Sequence, residues 1–177
     1  MGSTLTSGPF PWRELASRLY KREEEADAAV ALIIEKRGPS VLLIKRTDRR
    51  GDRWAGQIGL PGGFRRPSDA GALQTALREA KEEVGLDLKA LALYLGHLSP
   101  HSPKNRPDVR VLPFVFLVEG VKELSCDPQE VQEARWVPLG ELRPAEDAFI
   151  YRDWRIWGLT ARILTDLRRL LGFPDEP

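Results

Sequence analysis

A Pro-Gly-Gly turn at Pro61–Gly63, followed by a helical run that ends in three glutamates and a glycine, constrains this chain more than any other stretch of it. Between Ser68 and Gly85 the apolar residues Leu73, Ala76, Leu77, Ala80 and Val84 recur at three- and four-residue steps. That spacing predicts a helix with one face on a core. Ser68 and Asp69 offer side-chain oxygens to its first turn, and Gly85 suits the left-handed residue that ends it. Glu79, Glu82 and Glu83 then share one face of the last two turns. Carboxylates at that position repel one another and oppose the negative end of the helix dipole. One reading is a solvated acidic face, partly neutralised by Arg78 and Lys81. The other is a seat for a hard divalent cation such as Mg2+, bound through carboxylate oxygens. The Pro-Gly-Gly turn favours the second, because two glycines let the backbone come close and present the Gly63 carbonyl as a further ligand.

The chain has 177 residues, 42% apolar and 30% charged, which fits a single soluble domain with a real core. Residues 1–10 read as a flexible N-terminus and 11–177 as the domain. A net charge of +1 argues against a general nucleic-acid binder. The lone cysteine, Cys126, allows no internal disulfide, and no window approaches a membrane span, so a cytoplasmic protein is expected.

Pro11 to Ala26 reads as a helix with Trp12, Leu15, Leu19 and Tyr20 on its apolar side. Ala28–Glu35 and Val41–Arg46 read as two strands apolar throughout and therefore covered on both faces. Lys45, Arg46, Arg49, Arg50 and Arg53 place five cations in nine residues just before the glycine turn. In isolation this is a generic basic loop; beside a metal cluster, Arg46, Arg49, Arg50 and Arg53 read as a cradle for a phosphate-bearing substrate. Leu88 to Leu98 is expected to be a strand, and the loop Ser99–Asp108 offers Lys104 and Arg106 as further phosphate contacts. Val109 to Glu119 is a strong strand whose Pro113 suggests an edge or a bulge. His97 and His101 read as structural or solvated residues. The aromatics Tyr151, Trp154 and Trp157 read as core and helix-start packing ahead of a C-terminal helix.

Residues 63 to 86 resemble the Nudix box, whose centre Arg78-Glu79-Ala80-Lys81-Glu82-Glu83-Val84-Gly85-Leu86 fits throughout. Asp69 stands where the common box has glutamate, and the spacing from Asp69 to Arg78 is one residue longer than usual. That longer box is similar to the coenzyme A diphosphatase branch. So are Leu42-Leu43-Ile44-Lys45-Arg46-Thr47, the Leu60-Pro61-Gly62-Gly63 outline and Trp157-Gly158-Leu159-Thr160-Ala161. Thr47 and Leu60 depart from the branch, which has a small residue and an aromatic there. The resemblance implies an α/β fold, a mixed β-sheet sandwiched between helices. It also implies a diphosphatase in which Glu79, Glu82, Glu83 and Gly63 hold Mg2+ or Mn2+ and Arg78 fixes the glutamates by ion pairing. Glu130, or secondarily Glu133, would complete the acid set. The implied substrate is a small nucleoside-diphosphate derivative, coenzyme A or an acyl form of it. Nucleoside triphosphates, ADP-ribose, dinucleoside polyphosphates, and a non-catalytic nucleotide-binding module stay open as alternatives. Dimers are common on this fold, so a homodimer stays open too.

Overall fold

A computed structural model describes residues 11–48, 56–120 and 122–174. The expected flexible stretch 1–10 and the cations Arg49, Arg50 and Arg53 lie outside the described residues. Helix α1 (Trp12–Arg18) is followed by β1 (Ala28–Glu35), β2 (Ser40–Arg46), β3 (Ile58–Gly59) and β4 (Gly62–Phe64). Then come α2 (Ala72–Val84), the short α3 (Leu88–Leu91), β5 (Leu93–His97), β6 (Val111–Val118) and β7 (Val131–Pro138). The chain continues through β8 (Arg143–Ala145), β9 (Ala148–Tyr151) and β10 (Trp154–Trp157) into α4 (Gly158–Leu170).

Strands β1 to β7 form one mixed sheet, and β8 to β10 a small antiparallel one. Alternation along the central strands divides the core in two. Leu32 and Ile34 of β1, with Val41 and Leu43 of β2, face α1 and α4 through Leu15, Ile163, Leu164 and Leu167. Ala29, Ala31 and Ile33, with Leu42 and Ile44, face α2. The sheet between helices is therefore as expected, and both hairpin strands are covered on both faces. The α2 side is built from small residues: Ala72, Ala76 and Ala80 on the helix meet Ala29 and Ala31 on the strand. Small side chains let the two backbones come close, and this closeness carries the end of α2 to the glycine turn.

Strand β1 has two partners on one edge. Its end pairs with β2 (Ile34 with Val41, Glu35 with Ser40), while its start pairs with β4 (Ala28 with Phe64, Val30 with Gly62). Between these contacts the sheet forks, and β2 leaves to pair with β7 and β3. On the other edge β1 runs parallel to β6, from Ala28 opposite Val111 to Glu35 opposite Val118. Arg46 ends β2 at the mouth of this fork.

Four local expectations need correction. Helix α1 stops at Arg18, because the chain must extend for Tyr20 to exchange backbone hydrogen bonds with His97 (3.0 and 2.9 Å). Ser68 and Asp69 do not cap α2, which starts at Ala72. Instead, the Glu23 carboxylate accepts from the Leu73 N–H (2.9 Å), and a Cβ on Gly71 would lie 2.3 Å from Glu23. The segment 88–98 opens with α3 before the strand begins. Strand β6 is interior, not an edge. Pro113 sits just past the end of the β5 ladder, its carbonyl accepting from the Leu98 N–H, so its missing donor breaks no strand pairing. Gly85 does close α2 in the left-handed conformation, φ 73°.

Candidate active site

Glu79, Glu82 and Glu83 emerge from the last two turns of α2 toward the fork. Glu83 is buried, at 2% exposure, yet it is a carboxylate and must be answered by partners. Its Oε1 accepts from the Gly62 N–H at 2.9 Å, and its Oε2 lies 3.3 Å from Nη1 of Arg46. Burial, with a smaller push from Glu79, drives its carboxyl up to about 8, against the pull of Arg46 and the Gly62 N–H. Both glycines leave room for close neighbours, backbone atoms at Gly62 and the end of a side chain at Gly63. A Cβ on Gly62 would sit 2.4 Å from the Ala29 carbonyl oxygen, and one on Gly63 would sit 2.7 Å from Oε1 of Glu79.

Arg78 joins the two ends of the motif. Its Nε and Nη2 donate to Asp69 at 2.9 and 3.0 Å, and its Nη1 donates to Glu79 (2.9 Å) and Glu82 (3.2 Å). Nη2 also reaches the Phe64 carbonyl at 3.3 Å. Hydrogen bonds from Arg78 hold the Asp69 carboxyl well below the usual carboxylate range, despite burial that opposes them. Asp69 in turn accepts from the Arg66 N–H and the Thr75 hydroxyl, both at 2.9 Å. This is why Asp69 is unavailable as a helix cap. The long spacing between Asp69 and Arg78 is bridged by a bidentate ion pair.

These groups open on a chamber of about 520 Å3. Five carboxylates face it, from Glu79, Glu82, Glu83, Asp127 and Glu130, against the guanidiniums of Arg46 and Arg66. Glu130 arrives because the acidic loop docks on the end of α2: the Ser125 N–H donates to the Val84 carbonyl and the Asp127 N–H to that of Glu83, each at 3.0 Å. Glu133 does not reach the chamber; it lies on β7 opposite Lys45 and pairs with Arg135 at 2.6 Å. Asp127 and Arg66 are additions that sequence spacing did not single out. The docking that recruits Asp127 is a backbone contact across more than forty residues of sequence, which leaves no side-chain pattern.

The donor set suits a hard cation: carboxylate oxygens in excess of positive charge, one of them buried with a raised pKa. Among the described residues, however, no three such side chains converge into a finished metal cage. Glu79 turns to Arg78, Glu82 to Arg66 and Arg78, and Glu83 to Arg46. The residues fit a divalent ion in kind: they are carboxylates, the oxygen donors that a hard cation takes.

A larger cavity, about 890 Å3, shares Arg46, Gly62 and Gly63 with the acid chamber. The carboxylate-bearing residues line the smaller space, and the larger one is the roomier of the two. Its walls are mostly apolar, and Lys104, Arg155 and Arg162 stand among them. Trp157, Gly158, Leu159, Thr160 and Ala161 all line it. Tyr151 and Trp154 are core residues as expected, but Trp157 is 48% exposed on this wall, as is Phe64 at 55%. Arg106, in contrast to Lys104, turns away to pair with Asp108 in solvent. His97 is buried, with both ring nitrogens 2.8 Å from carbonyl oxygens, and His101 lies 2.8 Å from Asp166.

The Nudix domain model matches residues 24–157. An uncharacterised Nudix hydrolase, NudL, of Photorhabdus laumondii is 35% identical over 157 residues, covering 79% of this chain and 82% of the relative. An uncharacterised protein of Schizosaccharomyces pombe is 40% identical over 109 residues, or 59% of this chain, but the match spans only 33% of that longer protein. Among solved structures, the Nudix domain of Shewanella oneidensis NrtR, complexed with ADP ribose, superposes with a TM-score of 0.57 at 16% identity. That match covers 85% of this chain and 91% of that one, and shows a shared fold. A chain that carries this box on this forked sheet, with relatives of this kind along most of its length, belongs to the Nudix hydrolases, enzymes that hydrolyse phosphorus-containing anhydrides in nucleotide derivatives.

Proposed function

We infer that this enzyme cleaves the diphosphate linkage of coenzyme A or its acyl derivatives, releasing a phosphopantetheine product and adenosine 3′,5′-bisphosphate. The observation that supports the reading is that the acid chamber adjoins the 890 Å3 cavity, sharing Arg46, Gly62 and Gly63 with it, and that the Trp157–Ala161 segment lines that cavity. A long, partly apolar arm extending from a diphosphate held among the carboxylates would fill such a space. The wall segment is also one of the stretches that resemble the coenzyme A diphosphatase branch.

In this reading Glu79, Glu82 and Glu83 hold a divalent ion, Mg2+ or Mn2+, with Gly63 at their side and Glu130 supplying an extra acid from the opposite wall. Bound there, such an ion neutralises phosphoryl charge and lowers the pKa of a water. Arg78 keeps the glutamates in register through its contacts to Asp69, Glu79 and Glu82. Arg46 binds an outer phosphate oxygen, and Arg49, Arg50 and Arg53, which lie outside the described residues, are proposed as further phosphate contacts.

A second reading, another nucleotide substrate, is favoured by Leu60 and Thr47. Leu60 stands in the cavity wall where the resembled branch has an aromatic, and the Thr47 hydroxyl is committed to the Pro128 carbonyl at 3.0 Å. Hydrolysis of coenzyme A, ADP-ribose, a dinucleoside polyphosphate and several nucleoside triphosphates, with Mg2+ and with Mn2+, separates the two. Adenosine 3′,5′-bisphosphate released from coenzyme A well above all other rates supports the first reading. A faster rate on another member transfers the enzyme to the second. Nucleotide binding without turnover would instead mark a binding module.

A further inference from the structure

Two arginines serve the acid cluster, and they hold it differently. Arg78 is anchored by short contacts, 2.9 and 3.0 Å to Asp69 and 2.9 Å to Glu79, and adds longer ones to Glu82 (3.2 Å) and the Phe64 carbonyl (3.3 Å). Every contact of the Arg46 guanidinium in the cluster is long: 3.3 Å to Glu83, 3.4 Å to the Leu60 carbonyl and 3.2 Å to the Gly62 carbonyl. Good N–H···O bonds cluster near 2.9–3.0 Å. The Arg46 backbone is pinned, its N–H donating to Gln57 (3.0 Å) and its carbonyl accepting from Gly56 (3.1 Å), so any movement belongs to the side chain. Glu83 is the reverse. Its Oε1 is held by the Gly62 N–H at 2.9 Å, its Oε2 carries the loose Arg46 contact, and the Glu79 carboxyl lies beside it. Arg46 also lines both the chamber and the larger cavity, whereas Arg78 lines neither.

We propose that Arg46 is an exchangeable counterion. It neutralises the buried Glu83 while no cation is bound, is displaced when a divalent ion takes Oε2, and then carries its positive charge to a substrate phosphate. The second half of this proposal rests on the diphosphatase reading. A buried carboxylate left uncompensated is costly, so the metal-free protein needs the guanidinium. A dication at Oε2 and a guanidinium beside the same oxygen repel, and the displaced arginine gains a partner only when a phosphate oxygen is present, which it can grip with two N–H groups. The ion and the diphosphate therefore each strengthen binding of the other, by the same factor in both directions.

The test measures Mn2+ binding to the metal-free protein by electron paramagnetic resonance, alone and with methylenediphosphonate, corrected for Mn2+ held by the free diphosphonate. Wild type is compared with Arg46→Gln and Arg46→Lys. Arg46→Gln removes a nearby positive charge and should bind Mn2+ alone about tenfold more tightly. It should bind diphosphonate more weakly, and the coupling between the two should fall toward one. A merely structural role for Arg46 would weaken both ligands. Folded Arg46→Gln with Mn2+ affinity unchanged or weaker overturns the counterion assignment. Arg46→Lys keeps the charge without the planar fork; it should hold Mn2+ as wild type does, with reduced coupling. Full coupling in Arg46→Lys overturns the exchange, and that arm stands even where Arg46→Gln fails to fold. The Mn2+ arm needs no substrate, so a failed coenzyme A assay leaves it intact.

Discussion

Gly62 and Gly63 are neighbours in one turn, and replacing each by alanine should break different things. A Cβ on Gly62 would meet the Ala29 carbonyl oxygen at 2.4 Å, Cα of Val30 at 2.7 Å and Cγ1 of Val30 at 2.7 Å. Two of these are backbone atoms of β1, the strand shared by both halves of the core, and neither can retreat without opening the β1–β4 pairing. Gly62→Ala should therefore destabilise the protein by about 3 kcal/mol or more, at the upper end of overpacking costs. A Cβ on Gly63 meets only the Glu79 carboxyl group, at 2.7 Å from Oε1 and 3.0 Å from Cδ. That group is the far end of a flexible side chain and can swing aside. Its displacement loses the 2.9 Å contact to Arg78, a partly exposed pair that contributes about 1 kcal/mol at most. Gly63→Ala should thus unfold within about 1 kcal/mol of wild type in urea, yet lose metal-dependent turnover by roughly 100-fold, because a shift near 1 Å in a positioned group has that cost. Urea midpoints and turnover measured on both variants check the argument. A Gly63→Ala variant as unstable as Gly62→Ala, or one fully active, would refute the geometric reading.

Glu82→Gln should leave the urea midpoint within about 0.5 kcal/mol, since Glu82 is half exposed and its pairs with Arg66 and Arg78 are surface pairs. Metal-dependent turnover should fall by orders of magnitude; near-normal activity would remove the helix carboxylates from the chemistry. Trp157→Ala, at a half-exposed ring on the cavity wall, should raise KM for substrates with a long organic arm while sparing kcat; an unchanged KM would take Trp157 out of the binding surface. In chelator, stability should depend on pH through Glu83. Its folded-state carboxyl, near 8, lies above the ordinary 4.5, so the folded state binds the proton more tightly. Stability should then be greatest below about pH 4.5 as far as this group is concerned, and fall as pH rises toward 8, by up to a few kcal/mol. Asp69, held low by Arg78, is ionised across that whole window and adds no slope there. Urea midpoints from pH 5 to 8 should decline in wild type and lose that decline in Glu83→Gln; equal slopes in the two proteins would refute the assignment.

Much of the fold and part of the site could be read from local pattern. The two apolar strands, the stripe on α2 and the Gly85 cap are set by neighbours in sequence, and each forms as expected. What could not be read is set by contacts distant in sequence. Glu23 caps α2 across fifty residues, which frees Asp69 for Arg78. Tyr20 leaves the helical pattern to pair with His97. Pro113, disfavoured inside a sheet, is accommodated because β5 ends where its donor would be needed. The same division holds at the site: helical spacing gathers Glu79, Glu82 and Glu83, while Asp127 joins through loop docking and Arg66 through its pair with Glu82. Trp157 reads as core from its neighbours, and only the position of α4 leaves it facing the larger cavity.

The acid chamber is a folding problem before it is a catalytic one. Five carboxylates on one small space would drive the end of α2 away from the fork if each stayed ionised and unpaired. Three devices prevent this without an ion. Arg78 locks Asp69 and Glu79 with short contacts and reaches Glu82 at 3.2 Å. The Gly62 N–H and the loose Arg46 guanidinium answer Glu83. Burial lifts the carboxyl of Glu83 to about 8, so that near neutral pH a proton competes for the same oxygen. The first device is rigid and lies outside the chamber, which makes it a frame. The Arg46 guanidinium and the proton both act on the Glu83 carboxyl group, which lines the chamber, and both can be displaced by a cation of higher charge. Stability and readiness are thus assigned to different residues: substitutions at Asp69 or Arg78 should cost folding and activity together, whereas Arg46→Lys, which keeps the charge beside Glu83, should alter binding with the fold intact.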